Sequence, residues 1–353
     1  MDDDLRVTDD GFVPKERYTS RHFLVLEMER LWSRVWQVAC REEEIPGPGG
    51  FVEYVIGEQS ILVVRLADGE VVADHNCCLH RGTRLGSGAG TFPDGQIRCR
   101  YHAWCYRLDG ALTTVVDAED FAGLPDDLRL AEVRCERWGG FVWVNADPGA
   151  GSLLDYLDPL PRLLEPYHLD RLRLRAYRST ILPANWKSVV DAFNEGYHVQ
   201  GTHPQLLPWT DDVALVYERF ETHSHYGRIG GATRQLRPSK RLGLTSWDEG
   251  EILANLVDGL GGLFYGDERA LVDELRATPG QPGSTLLGRY QQRRRLLLEE
   301  RGMDVSGLTD DQLTSADDVL WFPNLVGPLY PGTAILFRVR PNGLDPDSAI
   351  KDT

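Results

Sequence analysis

The chain reads as an α+β protein in two parts: a small antiparallel β domain, then a larger unit in which an antiparallel sheet is flanked by helices. Three observations predict this. Between about 38 and 150, short β-rich runs are punctuated by Asp-Gly turns at 68–69 and 109–110. Beyond 151, helical periods alternate with strand-like segments. Between the two patterns lies a polar stretch, Asn185 to His203 (NWKSVVDAFNEGYHVQGTH), dense in carboxylates and imidazoles.

Residues 1–19 form a polar arm. From Ser20, the apolar positions Leu24, Met28, Leu31, Trp32 and Val35 recur at helical intervals, so residues 1–37 are an arm and an amphipathic helix expected to pack on the second domain. Glu43–Gly50 is a Pro/Gly loop. Phe51–Ile56 and Ser60–Leu66 are strands, the latter turned back onto Glu70–Asp74, and a second hairpin follows Ile97–Leu108. Gly139–Asn145 is a further strand, and the β domain ends near Asp147-Pro148-Gly149. Pro159–Asp170 reads as a connector and LRLRAYRSTIL (172–182) as a strand. Residues 185–203 read as a helix beginning near Trp186, 212–228 as strand. Helices are predicted at Ser246–Leu260, Glu268–Leu275 and Leu286–Arg301, and strands at Val319–Tyr330 and Ala334–Val339. The run Arg293-Arg294-Arg295 on the last helix is expected to be a solvated face.

Composition narrows the function classes. With 42% hydrophobic and 26% charged residues the chain lies far from disordered sequences, and a net charge of −16 argues against nucleic acid or an anionic membrane as partner. The start MDDDLRVTDD has neither the basic nor the apolar region of a signal peptide, and no apolar run approaches a membrane span. Six cysteines, two of them adjacent, do not form a disulfide framework in a chain this long. The expected compartment is the cytoplasm.

The chemistry concentrates in two places. Cys78-Leu79-His80 and Cys99-Arg100-Tyr101-His102 each pair one thiol with one imidazole at a hairpin edge. A zinc site normally pairs Cys with Cys and His with His in separate knuckles. Mixed knuckles suit a Rieske [2Fe–2S] centre, in which two cysteines hold one iron and two histidines the other, with a zinc knuckle as the alternative. Cys77 leaves an ambiguity, because Cys77-x-x-His80 is also a ligand spacing. In the polar stretch, a helix would place Asp191, Glu195 and His198 on one stripe. His198 and His203 lie about 140° apart on such a helix, so they share a face only if it ends or bulges between them, with Gly201 and Thr202 marking the exit.

NCCLHRG (76–82) with CRYHAWCYRLDG (99–110) resembles the Rieske signature of the ring-hydroxylating oxygenase α subunits, C-x-H-R-G followed by C-x-x-H-G-W-x-Y-x-x-x-G. Ala103 stands where the family usually has Gly, and the spacer 81–98 is slightly long. The resemblance picks Cys78, His80, Cys99 and His102 as cluster ligands and leaves Cys77, Cys40, Cys105 and Cys135 without that role. Asn185-Trp186-Lys187, Glu195-Gly196-Tyr197-His198 and His203-Pro204 match the family's second signature, and Phe322-Pro323-Asn324 resembles a family strand beside the pocket.

What the resemblance implies is concrete. The fold is a Rieske domain (38–150) with a helix-grip, START-like catalytic domain (151–353), assembled as a homotrimer with or without a β subunit. His198 and His203 bind a mononuclear Fe(II), whose third ligand is a carboxylate. Glu195 takes the place of the bridging carboxylate, joining His198 to the Rieske ligand His102 of a neighbouring subunit, with Asp191 in a supporting position. NAD(P)H electrons arrive through a reductase, directly or by a ferredoxin, and O₂ is used to hydroxylate an apolar, aromatic small molecule. The alternatives are a monooxygenase or demethylase acting on an alkylammonium, methoxy or N-methyl substrate, and an electron-transfer protein without catalysis. Leu206, Leu207, Trp209, Leu260, Leu263 and Phe264 are expected to make the pocket apolar. The family's third ligand lies well beyond the Phe-Pro-Asn strand, and no carboxylate suited to that place is found before Thr353. Asp345 and Asp347 fall where relatives have a surface turn, and Asp352, next to Thr353, is expected to fray. The chain thus reads as lacking the segment with the third ligand.

Overall fold

The computed structural model describes residues 11–121, 123–226 and 236–353. The predicted arm lies mostly outside them, as do positions 227 and 228 of the predicted strand region. The chain divides into two compact units, one made of Met1–Tyr156, Arg173–Lys187 and Val339–Asp352, the other of Leu157–Leu172, Ser188–Arg338 and Thr353. The segment expected as one catalytic domain, 151 to Thr353, is therefore not a single continuous unit. Within Arg173–Lys187 and Val339–Asp352, Ser179–Leu182 pairs with Asp345–Asp352, and Asn185, Trp186 and Lys187 bond to Tyr18 and Glu27 of the first unit; only Thr353 beyond them groups with the second.

The first unit is built on an antiparallel sheet whose strand order, among the described residues, is Gln37–Arg41, Phe141–Asn145, Glu132–Trp138, Val71–His75, Gln59–Arg65, Gly50–Ile56 and Ala89–Thr91. The Asp68-Gly69 turn sets the register Arg65↔Val71 and Leu62↔Asp74. This register sends Leu62 and Val64 into a core with Phe51, Phe92, Trp104 and Tyr106. The predicted run Ile97–Leu108 is in fact two strands, Gln96–Arg98 and Cys105–Arg107, folded around the 99–104 loop, with Leu112–Thr114 as third partner. Two strands have no clear period in the sequence: Gln37–Arg41, nearly wholly buried, and Glu132–Trp138.

Ser20 caps the N-terminal helix Arg21–Glu27, accepting from the Phe23 amide at 3.3 Å, and the helix runs into a π-helical turn at Met28–Trp32. The Asn-Trp-Lys motif anchors it. Asn185 Nδ2 donates to the carbonyls of Tyr18 and Pro346, while Trp186 Nε1 and Lys187 Nζ donate to the two oxygens of buried Glu27 at 3.1 and 2.7 Å. The last strand, Asp345–Asp352, pairs with Ser179–Leu182 and leaves only Thr353 beyond it, exposed. This corrects two expectations. Asp345 and Asp347 belong to a strand rather than a turn alone, and Asp352 does not fray: it is buried and its carboxylate meets the Arg340 guanidinium.

Asp74, 2% exposed on strand Val71–His75, lies against the Gly110 turn. Burial pushes its carboxyl up to about 7, Arg129 opposing and Glu132 and Asp109 adding to the rise. A folded-state value above the unfolded one of about 3.9 means the native form holds the extra proton. This contribution to stability is present in full below about pH 4 and is lost as pH rises through about 7. Urea unfolding from about pH 4 to 8 is expected to show that decline in the native protein and a flatter profile in Asp74→Asn.

In the second unit the strands Tyr217–Arg219, Ser224–Tyr226, Asp317–Trp321 and Leu325–Tyr330 pair in that order, all antiparallel. The predicted connector 159–170 instead carries the short helix Leu160–Leu164 and tight helical turns. Three helices, Glu249–Gly259, Gly266–Ala277 and Leu286–Glu300, form a layer; Asp248 caps the first and Thr285 the third. Trp209, Leu263 and Phe264 lie in the core of this layer, with Leu206 and Leu260 packed against it. They are therefore core residues where the sequence suggests a pocket lining. The arginine run is not a solvated face either. Arg294 is fully buried, ion-paired with equally buried Glu268 at 2.5 Å and stacked over Phe264, because its position on the helix points inward where Arg293 points out.

Candidate functional sites: a four-ligand Cys–His loop pair and a histidine turn

In the first unit, Cys78 and Cys99 are buried at 2% and 3% exposure, whereas Cys77 is exposed. Each ligand loop is closed by backbone bonds. The Gly82 amide donates to the Cys78 carbonyl and the Ala103 amide to that of Cys99, both across tight turns. Asn76 staples the first loop, its Oδ1 accepting from the Leu85 and Gly86 amides and its Nδ2 donating to the Gly86 carbonyl at 2.7 Å. The imidazoles of His80 and His102 stand 4.4 Å apart, centre to centre, and His80 stacks on Trp104 at 5.0 Å.

The electrostatics suit metal ligation. His80 is held below the ordinary imidazole value by desolvation, with His102 and Arg81 adding to this, so it is neutral and able to coordinate. Burial raises the Cys78 thiol, and Cys99 beside it raises it further, so two thiols facing each other without a cation are disfavoured as thiolates. The Nδ1 atom of His80 is buried without a hydrogen-bond partner, an orphaned ligand atom of the kind a metal would satisfy. Two buried thiols and two imidazoles fit a [2Fe–2S] cluster, which these four residues would hold. Among the described residues no group of three or more His, Cys, Asp or Glu side chains is placed to hold a single ion.

Two local features adjust the site. Tyr106 Oη lies 3.2 Å from Cys78 Sγ and accepts from the Leu79 amide at 3.1 Å. A hydroxyl on a ligand sulfur stabilises the more negative, reduced state. Tyr106→Phe is therefore expected to lower the cluster potential, read by redox titration of its visible spectrum, without loss of the cluster. Ala103, where the resemblance expects Gly, sits at φ +57°, in the left-handed region. Ala103→Gly is expected to stabilise the domain by about 1 kcal/mol in chemical unfolding.

In the second unit, the stretch predicted as one long helix is broken. A helix runs over Trp186–Asp191, the chain then turns, and a single helical turn follows at Val199–Thr202. His198 and His203 flank that turn at its two ends, and His203 leaves it at φ −130°, ψ 50°. This resolves the awkward spacing: the ring centres approach to 5.3 Å although the histidines stand five positions apart. Gly201 and Thr202, predicted as the exit, lie inside the turn.

Glu195 Oε1 lies 2.5 Å from His198 Nδ1, and its Oε2 accepts from the amides of His198, at 3.1 Å, and Tyr197. The carboxylate thus holds the two amides that lead into the turn and fixes the imidazole with Nδ1 as donor and Nε2 left for a metal. Asp191 ends the preceding helix as an exposed residue and does not share a stripe with Glu195, because the helix stops there. The geometry brings together Glu195, His198 and His203; no third protein ligand joins the two histidines among the described residues. Asp352, the last carboxylate before Thr353, is committed to Arg340 in the first unit and is no candidate for that place. The histidine pair fits two of the positions of a mononuclear iron site.

Comparison with known proteins finds two family matches along this chain. Residues 35–125 match the family model of the Rieske [2Fe-2S] domain, and residues 168–260 that of the ring hydroxylating alpha subunit (catalytic domain). The glycine betaine monooxygenase oxygenase subunit of Chromohalobacter salexigens is 34% identical over 267 residues, 71% of this chain and 58% of that protein. The carnitine monooxygenase oxygenase subunit of Escherichia coli K12 is 36% identical over 195 residues, 54% of this chain and 52% of that one. The chain spans about half the length of the curated relatives it matches. Among solved structures, naphthalene 1,2-dioxygenase bound to phenanthrene superposes with a TM-score of 0.68 at 23% identity, covering 99% of this chain and 72% of that one, a likeness of fold.

Proposed function

We propose that this chain, which carries a Rieske [2Fe-2S] domain and a ring hydroxylating alpha subunit catalytic domain, is the oxygenase component of a monooxygenase for a small alkylammonium compound. The observation that carries the oxygenase reading is the presence in one chain of the Cys78–His80/Cys99–His102 loop pair and the Glu195–His198–His203 turn. The substrate class is supported by the glycine betaine and carnitine monooxygenase relatives. The aromatic substrate expected from the sequence is the competing reading.

When bound, the cluster and the iron supply one-electron transfer and O₂ activation. This chain's residues do the rest. Cys78 and Cys99 would hold one iron of the cluster, and His80 and His102 the other. Asn76 keeps the first ligand loop in place, and Tyr106 places its hydroxyl on the Cys78 sulfur. His198 and His203 would hold the iron through two imidazole nitrogens, and Glu195 keeps His198 in the tautomer that can ligate. In a homotrimer, the second lone pairs of the Glu195 carboxylate would accept from the neighbouring subunit's His102, linking the two centres by hydrogen bonds. Electrons come from NAD(P)H through a reductase, with or without a ferredoxin, and the compartment is the cytoplasm. Among the described residues no helix is long and apolar enough to cross a membrane.

The test is oxygenation by the purified protein supplied with Fe(II), a chemical reductant and ¹⁸O₂. One labelled oxygen in a product of glycine betaine or carnitine supports the proposal. A product with two labelled oxygens from an aromatic acid or hydrocarbon, and none from the ammonium compounds, establishes the competing reading instead.

A further inference from the structure

The turn that carries Glu195 is held from outside. The hairpin Tyr217–Arg219/Ser224–Tyr226 lies beside it, with Tyr217 paired to Tyr226 in register and their rings 5.4 Å apart. From the first strand, Tyr217 Oη accepts from the Gly196 amide at 2.8 Å. From the second, Ser224 Oγ donates to Asn194 Oδ1, also at 2.8 Å. Asn194 and Gly196 are the two chain neighbours of Glu195. Gly196 is buried, and a Cβ there would lie 2.1 Å from Leu215 Cδ1, so the backbone at this point is pressed against the segment leading into the hairpin. The hairpin is itself paired to Asp317–Trp321 through Ser224–Tyr226, so the support is part of the sheet.

We propose that Tyr217, with Ser224 as its counterpart, is a positioning residue that sets the Glu195–His198 contact. The geometry is specific. Glu195 spends its carboxylate on three donors, His198 Nδ1 and the amides of Tyr197 and His198, which fixes the side chain relative to the turn. The turn itself is short, with one helical turn on one side and an irregular segment on the other, and by itself would leave the Glu195 backbone free to rotate. The hydrogen bonds to the residues on either side remove that freedom. Tyr217 acts through the Gly196 peptide on Glu195, and through Glu195 on the tautomer of His198. The proposal rests on the iron-site reading only for its consequence in metal binding.

Tyr217→Phe retains the ring and removes the acceptor; Ser224→Ala is a second, independent change on the other flank. In protein that holds its cluster but no mononuclear iron, labelled with ¹⁵N-histidine, the native His198 Nδ1–H is expected to give a downfield proton bonded to Glu195. In Tyr217→Phe this signal is expected to broaden or move to the solvent-exchanged position. Fe(II) affinity is expected to fall about tenfold, the lower end of the range for groups that orient a ligand from behind. The visible spectrum of the [2Fe–2S] cluster and the far-ultraviolet circular dichroism should be unchanged, which separates positioning from unfolding. A wild-type His198 signal and wild-type Fe(II) affinity in both variants would overturn the proposal. If the native protein takes up no Fe(II) while the His198 signal still depends on the Tyr217 hydroxyl, the positioning role stands and the iron reading falls.

Discussion

Replacing Cys99 with serine is expected to abolish assembly of the [2Fe–2S] cluster. Cys99 is 3% exposed, on a loop closed by the Ala103 amide on its carbonyl and by its own amide on the Trp104 carbonyl at 2.9 Å. Each loop supplies one thiol and one imidazole, so the thiol-bound iron loses half its protein ligands with this one change. The sulfur is also irreplaceable chemically: serine is a harder, more basic ligand than the thiolate that Fe–S clusters require. The measurement is iron and sulfide content with the visible absorbance of the purified variant. Loss of the cluster also leaves His80 Nδ1 buried and unsatisfied, so the apo-domain is expected to unfold at lower denaturant than the holo-domain. Cys77→Ser, on the exposed neighbour, should retain full cluster content. A cluster lost in Cys77→Ser and retained in Cys78→Ser would move the ligand assignment by one residue.

The second large effect is at Glu195. Glu195→Gln keeps the size of the side chain but places an amide where two carboxylate oxygens now accept three bonds. One oxygen can still accept from the Tyr197 and His198 amides, but the NH₂ group cannot accept from His198 Nδ1–H. The imidazole then loses both its orientation and the negative charge that makes it a stronger ligand. Partners of this kind are typically worth roughly 10–100-fold in metal affinity or activity. Steady-state turnover in Glu195→Gln is expected to fall by at least that factor, because the carboxylate serves the proposed link to the neighbouring subunit's His102 as well. The cluster's spectrum and content should be unaffected. A variant with native turnover and native Fe(II) affinity would remove Glu195 from the site.

Much of this is legible from residues in order. The mixed Cys–His loops, the Asp68-Gly69 hairpin and the three late helices depend on local signals, turn residues and periodicity, and these survive without tertiary context. What is not legible depends on neighbours. Gln37–Arg41 is almost entirely buried, so its sequence lacks the alternation that marks a half-exposed strand. Arg294 reads as solvated because an arginine normally is; only the inward position of its helix face and the matching Glu268 make a buried ion pair. Asp352 reads as frayed from its place beside Thr353, yet the pairing of its strand with Ser179–Leu182, far off in sequence, holds it down. The His198–His203 spacing is visibly incompatible with one helix, but where the helix breaks is decided by contacts at Gly196, Asn194 and Glu195 that no local pattern encodes. Tyr217, at a separation of 21 from Gly196, carries no signal at all in the sequence.

The single turn Val199–Thr202 has a consequence for how freely this protein can vary. Since the two histidines stand at its ends, the turn works as a spacer block whose length matters more than its composition, apart from buried Val199. Gln200 is exposed, and a methyl group added at Gly201 would meet nothing within 4 Å. Substitution there is free on the outer side and, for alanine, favourable to the helix. An insertion or deletion of one residue is another matter, because it swings one histidine by about 100° around the axis relative to the other. Drift in this segment should therefore show many exchanges of residue and no change of length.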